Sequence, residues 1–168
     1  MENFSTIVAA VDFSETSCDV LEAALVMARA TGGRVRLLHV VPQVAQSAWS
    51  IEASELNIDD LQREWTADAE TQLAELANSA KSKAWLDSAS VVVGPAAAEI
   101  VRYAEEHAAD AIVVGSHGRG VIRRLLIGTV TERVLREASC PVLVVPDRAL
   151  RGGAAVRSMR VGRTVHAA

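Results

Sequence analysis

Aromatic residues are scarce in this chain: they make up 4% of its 168 residues, whereas hydrophobic residues make up 50%. A core must therefore be assembled from Val, Ala, Leu and Ile, and the length is enough for one domain with a properly buried interior. Cysteine is scarcer still. Cys18 and Cys140 are the only two, too few for a disulfide framework and in keeping with a reducing compartment. Long apolar runs are missing, and none approaches the roughly 20 residues of a membrane span. The first residues, MENFSTIVAAVDF, carry no basic segment and meet an aspartate early, which is not the pattern of a secretory leader. An excess of positive charge is absent too. The formal net charge is −4, which argues against general nucleic-acid binding through the folded body. Together these absences lead to the expectation of a soluble, cytoplasmic protein.

What the chain does contain is a glycine pattern between Val113 and Thr131, VVGSHGRGVIRRLLIGTVT. Gly115, Gly118 and Gly128 are spaced G-x-x-G-x9-G and are followed by the hydroxyl residue Thr129. The apolar run Ala111 to Val114 leads in, and a helical pattern leads out. A strand that ends in glycines and re-enters a helix through Gly-Thr brings backbone close to phosphate oxygens. Glycine carries no Cβ to block the approach, and a helix start offers unpaired N–H groups at the positive end of its dipole. The plainer alternative is a surface loop in which Gly115, Gly118 and Gly120 only serve turns. Thr129 would then simply cap the helix, for Thr129-Val130-Thr131-Glu132 is a capping box. The two are compatible, since a capped helix start can still present amides to an anion. Two other phosphate motifs are excluded. Val121 stands where a P-loop needs lysine, and G-x-x-G-x-G in a late strand–helix unit is not the dinucleotide fingerprint.

The remaining pattern is regular. Thr6 to Val11 is a continuous apolar run, as in a parallel strand buried on both faces, and it ends at Asp12. Ser14 is the expected N-cap of a helix whose stripe is Cys18, Leu21, Leu25 and Ala28, stopped at Gly32-Gly33. A second strand runs from about Val35 to Val41. Residues 43–57 read weakly, as a long loop or lid containing Trp49 and Ile51. A helix from Asp59 or Asp60 places Leu61, Trp65, Ala69, Leu73, Leu76 and Ala80 on one stripe, with Trp65 read as core. Ala89 to Val93 is the third strand. Gly94-Pro95 opens a helix with Ile100, Tyr103, Ala104 and His107 on one face. Ala111 to Val114 is the fourth strand, and Val142 to Val145 the last.

This order predicts an α/β fold with a single doubly wound five-stranded parallel sheet, order 3-2-1-4-5, and helices on both faces. Ligands of such sheets sit at the carboxyl ends of strands where the winding reverses, here between the first strand and the fourth. Asp12 and Gly115 both stand there. The pattern thus sets a lone carboxylate opposite a phosphate cradle, the makings of a nucleotide site.

At these residues the chain resembles the universal stress protein family, from about Phe4 to Pro146. The resemblance rests on VAAVDFSETS, LLHVV, GSHGRG, GTVTERVL and PVLVVP, and on the glycine signature of the ATP-binding members. It implies an adenine nucleotide alpha hydrolase-like fold with ATP as ligand. Asp12 then matches the position on the adenosine side, Val40 the backbone that reads adenine, and Ala10 and Val11 positions packing on the base. Gly115, Gly118, Gly128, Thr129 and Val130 match positions lining the ribose and triphosphate. Mg²⁺ or Mn²⁺ often accompanies the triphosphate in similar proteins, and with no carboxylate cluster here, phosphates and water would hold it. Family members commonly form homodimers through the last strand, Val142–Val145, and an apolar edge strand is usually covered or paired. Residues 1–146 would be the nucleotide-binding domain. Residues 147–168 exceed the family pattern and carry Arg148, Arg151, Arg157, Arg160 and Arg163 against Asp147. They read as a mobile basic tail, either inert or contacting an anionic partner, the acidic body or nucleic acid.

Several side chains keep two readings. Arg119, Arg123 and Arg124 offset triphosphate charge or form a solvated basic face. His117 lies in the loop within reach of phosphate but has no partner carboxylate nearby in sequence, so it is given no catalytic role. Asp12 accepts from ribose hydroxyls or serves only as a cap or turn residue. His39 reads as a packing histidine and Cys18 as core. The expected function is an ATP-binding module of stress adaptation without efficient turnover. The alternative is a slow ATPase or phosphotransferase, but the Walker lysine, carboxylate pair and nucleophile–base pair that catalysis would use are not seen. The SGGxDS and HxGH signatures of related folds are missing. A scaffold that has lost nucleotide binding is disfavoured by the intact glycines.

Overall fold

β1 (Thr6–Val11) is the central strand, and from Ile7 to Val11 it is buried throughout. Its side chains alternate between two cores, as the pleat requires. Ile7, Ala9 and Val11 face the core shared with α1 (Ser17–Thr31) and α2 (Ile58–Ser79). Val8 and Ala10 face the core shared with α3 (Ala96–Glu106) and α4 (Thr129–Glu137). Both faces of the strand are apolar, which is why its sequence reads as an unbroken hydrophobic run. The computed structural model describes residues 4–44, 57–80, 83–116 and 127–147, together with the backbone of Val161–Gly162.

Around β1 lie β2 (Arg34–Val41), β3 (Leu86–Val93), β4 (Ala111–Gly115) and β5 (Val142–Val145). These five strands are parallel and run in the expected order β3-β2-β1-β4-β5. A two-residue strand, β6 (Val161–Gly162), pairs antiparallel with the outer side of β5. Ile7, Leu37, Leu38, Leu73 and Ile112 are the largest fully enclosed side chains, each stabilising the fold by about 1.5–3 kcal/mol. The start of β1 is tied to the turn before β4, since Asp110 Oδ2 accepts from the N–H of Ser5 at 2.7 Å and of Thr6 at 2.9 Å.

Three expectations need correction. Cys18 is exposed; the buried stripe of α1 is Ser17, Val20, Leu21, Ala24, Leu25 and Ala28. Cys18 falls at the margin of that stripe, in the first turn of the helix. Trp65 is half-buried, because α2 packs on β2 and on β3 at the sheet's edge and its fully buried residues are Ala69 and Leu73. β3 begins at Leu86, three residues earlier than the apolar pattern suggested. An edge strand with one open side tolerates polar residues, and Asp87 there pairs with Arg36 at 2.9 Å.

Two glycines close α1 for different reasons. Gly32 has φ +78 with open space around its missing Cβ, whereas a Cβ on Gly33 would sit 2.0 Å from the Phe4 carbonyl oxygen. Gly32→Ala should cost about 1–2 kcal/mol of left-handed strain. Gly33→Ala should cost about 3 kcal/mol, the upper end for overpacking, because backbone must move. Urea unfolding of the two variants should give midpoints in that order. The thiols provide a second check. Cys140 is half-buried, and burial raises its pKa above the ordinary thiol value. Iodoacetamide should label the exposed Cys18 first, and Cys140 should need a more alkaline solution than an ordinary thiol, as peptide mass mapping would show.

Candidate functional site

β1 and β4 are neighbours, with Ala10 opposite Val114. The chain leaves β1 toward β2 on one side and leaves β4 toward β5 on the other. Among the described residues no crossover covers the point where the two paths diverge, and a crevice opens at the carboxyl ends of the strands. It holds a cavity of about 310 Å³. Eight residues singled out in the sequence line this one cavity: Ala10, Val11, Asp12, Val40, Gly115, Gly128, Thr129 and Val130. His117, Gly118, Arg119, Arg123 and Arg124 lie outside the described residues, as does most of the 43–57 segment.

Asp12 shapes one wall. Its Oδ1 accepts from the Ser14 N–H at 3.1 Å, from Ser14 Oγ at 2.6 Å and from Ser17 Oγ at 3.3 Å. This side-chain turn holds Ser14 outside the helix. Ser14 is therefore not the N-cap; Thr16 takes that position without a side-chain bond, and α1 begins at Ser17. The turn also drives Phe13 to φ +61, a conformation costing about 1–2 kcal/mol in a residue with a Cβ. Neighbours hold it there. The Phe13 ring stacks on His39 with centroids 4.0 Å apart, and His39 Nδ1 lies 2.8 Å from the Val11 carbonyl oxygen, to which it donates in the Nδ1–H tautomer. His39 is a packing histidine, as its strand position suggested.

The opposite wall is the start of α4. The Ser116 carbonyl accepts from the Gly128 N–H at 2.7 Å, and the Ser116 N–H donates to the Val145 carbonyl at 2.7 Å. The two ends of the glycine-rich segment are thus bonded directly to each other and to β5. Thr131 Oγ1 donates to the Gly115 carbonyl at 2.7 Å, fastening the helix to the end of β4. The expected capping box does not form. Gly128 is the N-cap, with no side-chain bond, and Thr129 is the first helical residue. The Ser116 and Thr131 contacts set the helix start one residue early, and Glu132 pairs with Arg136 at 2.7 Å instead of reaching back. The helical ladder opens with the Glu132 N–H on the Gly128 carbonyl at 2.9 Å. The N–H groups of Thr129, Val130 and Thr131 precede it, at the positive end of the helix dipole.

Between these walls the cavity is amphipathic. Ala10, Leu38, Val40, Ala96, Ile100 and Val114 form an apolar side, and Asp12, Ser14, Thr16, Ser17 and the start of α4 form a polar side. Asp12 is the charged residue among the described lining residues. Ser14 and Ser17 were missed as site residues, although D-x-S-x-x-S after a buried strand was a usable signal. Leu38 shares a strand face with Val40 and was legible by alternation. Thr131 carried no local sign of its bond to Gly115. Among the described residues, no group of three or more His, Cys, Asp or Glu stands ready to hold a metal ion.

The family model for universal stress proteins matches residues 3–146. The chain belongs to the universal stress protein family. Universal stress protein MJ0577 of Methanocaldococcus jannaschii is 30% identical over 148 residues, covering 80% of this chain and 90% of its own. MJ0531 of the same organism is 32% identical over 142 residues, covering 84% and 82%. The solved structure of MJ0577 superposes with a TM-score of 0.75 at 28% identity, over 87% of this chain and 98% of that one. A universal stress protein crystallised in complex with cAMP superposes at 0.62 and 23% identity, over 86% and 98%, and shows the fold alone. Residues 147–168 of this universal stress protein lie beyond the family match.

The hydroxyl pair at the start of α4 separates structural from exposed roles. Thr131→Val should remove the Thr131 donor from the part-buried Gly115 carbonyl and lower stability by about 0.5–1.5 kcal/mol. Thr129→Val, at an exposed position, should change it by less than about 0.5 kcal/mol. Urea unfolding followed by circular dichroism measures both.

Proposed function

We propose that this universal stress protein binds ATP in the cavity between β1 and β4 and acts as a nucleotide-dependent regulatory module, without efficient turnover. The observation that carries the proposal is one cavity that joins an apolar wall, a single carboxylate and an uncapped helix start. Adenine packs against Ala10 and Val11 and is read by the Val40 backbone. Asp12 accepts from the ribose hydroxyls. The phosphates lie along Gly115, Gly128, Thr129 and Val130, where backbone N–H groups and the helix dipole favour negative charge. The glycine signature of the sequence adds Gly118, with His117 and Arg119 beside it, as further candidates for phosphate contact. The cavity, about 310 Å³, lies at the small end of the roughly 300–1,000 Å³ usual for ligand pockets. With Asp12 as the single described carboxylate on the wall, a Mg²⁺ or Mn²⁺ ion is held mainly by phosphate oxygens and water. The sequence carries no Walker lysine and no carboxylate or nucleophile–base pair close to the glycine signature, which favours binding over hydrolysis. The reading places the protein in the cytoplasm as a homodimer joined along β5, whose apolar edge calls for a partner.

The protein purified without added nucleotide should release an adenine nucleotide on denaturation. Once emptied, it should bind ATP in the presence of magnesium and release phosphate negligibly. Rapid phosphate release would instead establish a slow ATPase or phosphotransferase, and absence of any binding would remove the nucleotide reading. Gly128→Val should abolish binding with an unchanged circular dichroism spectrum, because φ −71 at Gly128 suits any residue while the new side chain fills the phosphate approach. Gly118→Val should do the same.

A further inference from the structure

β5 is bonded to β4 along its inner side, from Val142 opposite Ile112 to Val145 opposite Gly115. Its outer side receives β6 in antiparallel register, with Val142 opposite Gly162 and Leu143 opposite Val161. These two residues come from the segment beyond the family match, which ends at residue 146. From this pairing we infer that the outer edge of β5 is a single docking edge with two exclusive occupants: the chain's own β6, and the β5 strand of a second copy. The inference rests on the homodimer reading and adds its regulation. β6 is a built-in competitor of self-association.

Three observations support the second copy as the alternative occupant. The edge accepts antiparallel backbone, as β6 shows, and a twofold axis beside β5 would set two copies of that strand antiparallel to each other. β6 spans two residues where β5 has four, so a second β5 can pair along a longer stretch than β6 does. Leu143, Val144 and Val145 are only partly buried, which leaves apolar surface on this strand for a partner to cover. Backbone N–H and C=O groups along one edge bond one strand at a time, so β6 must leave before a second copy can pair there.

The test uses the full chain with Val161→Pro and Gly162→Pro together. In an antiparallel pair, successive residues alternately point their N–H groups at the partner strand. One of the two prolines therefore removes a ladder donor whichever residue supplies it. Sedimentation velocity across a concentration series gives the monomer–dimer midpoint for parent and variant, and circular dichroism verifies that the folded body is unchanged. Each copy must release its own β6, so the apparent dissociation constant rises with the occupied fraction of both edges. The variant should dimerise at about tenfold lower concentration or less, as expected for loss of one or two weak backbone bonds per copy. Equal midpoints would overturn the competition while leaving the homodimer standing. A weaker dimer in the variant would also overturn it, showing that the strand is exchanged between copies. Association in neither protein would remove both the homodimer reading and the competition.

Discussion

β1 and β4 lie side by side in the sheet, although β2 and β3 come between them in the chain. Their parallel pairing has Ile7 opposite Ala111 and Ala10 opposite Val114. It depends on a loop closure of about a hundred residues, whose entropic cost only a large buried core can offset. Both cores include residues of these strands, Ile7, Ala9, Val11 and Val113 on one face and Val8, Ala10, Ile112 and Val114 on the other. Because the chain departs from the two strands in opposite directions, a crevice forms at their carboxyl ends. Asp12 and Gly115 both line that crevice.

The rim of that opening is built from directional bonds, in contrast to the apolar packing beneath it. Asp12 gathers Ser14 and Ser17 through one oxygen, and the resulting turn leaves Phe13 strained but stacked on His39. Across the cavity, Ser116 binds Gly128 and Val145 while Thr131 binds Gly115. Each of these bonds is individually modest. Together they hold the start of α4, with its unpaired N–H groups, at a defined place relative to the Asp12 carboxylate. A preorganised rim of this kind limits the ordering cost that a bound ligand would otherwise meet.

The two margins of the parallel sheet are handled differently. β3 breaks its apolar pattern with Asp87 and Ser88, and Arg36 reaches across to both, so its polar residues discourage pairing with another chain. β5 keeps the unbroken apolar run Val142 to Val145, and β6 lies against its first half. Polar residues protect one margin, and strand pairing covers part of the other.

Much of this was legible in the residues. Continuous apolar runs at Thr6 to Val11 and Ala111 to Val114 announce strands buried on both faces, because burial on two sides demands hydrophobicity at every position. Alternation of such runs with amphipathic stretches sets the strand order, and Gly115, Gly128 and Thr129 in their spacing mark the site beside Asp12. Periodicity, however, reports only which side of an element is buried. The exposure of Cys18 depended on what packs over the first turn of α1, and the early start of β3 on its place at the margin. Ser14 and Thr129, each with the composition of a cap, lost that role to bonds made elsewhere: Ser14 to Asp12, and the start of α4 to Ser116 and Gly115. The sequence by itself determined the strand order and the residue types around the crevice, since hydrophobic pattern and turn chemistry are local. Tertiary structure alone decided the helix starts, the strained turn at Phe13 and the pairing of Val161–Gly162 with β5, because each is settled by competition between hydrogen-bond partners that no local pattern records.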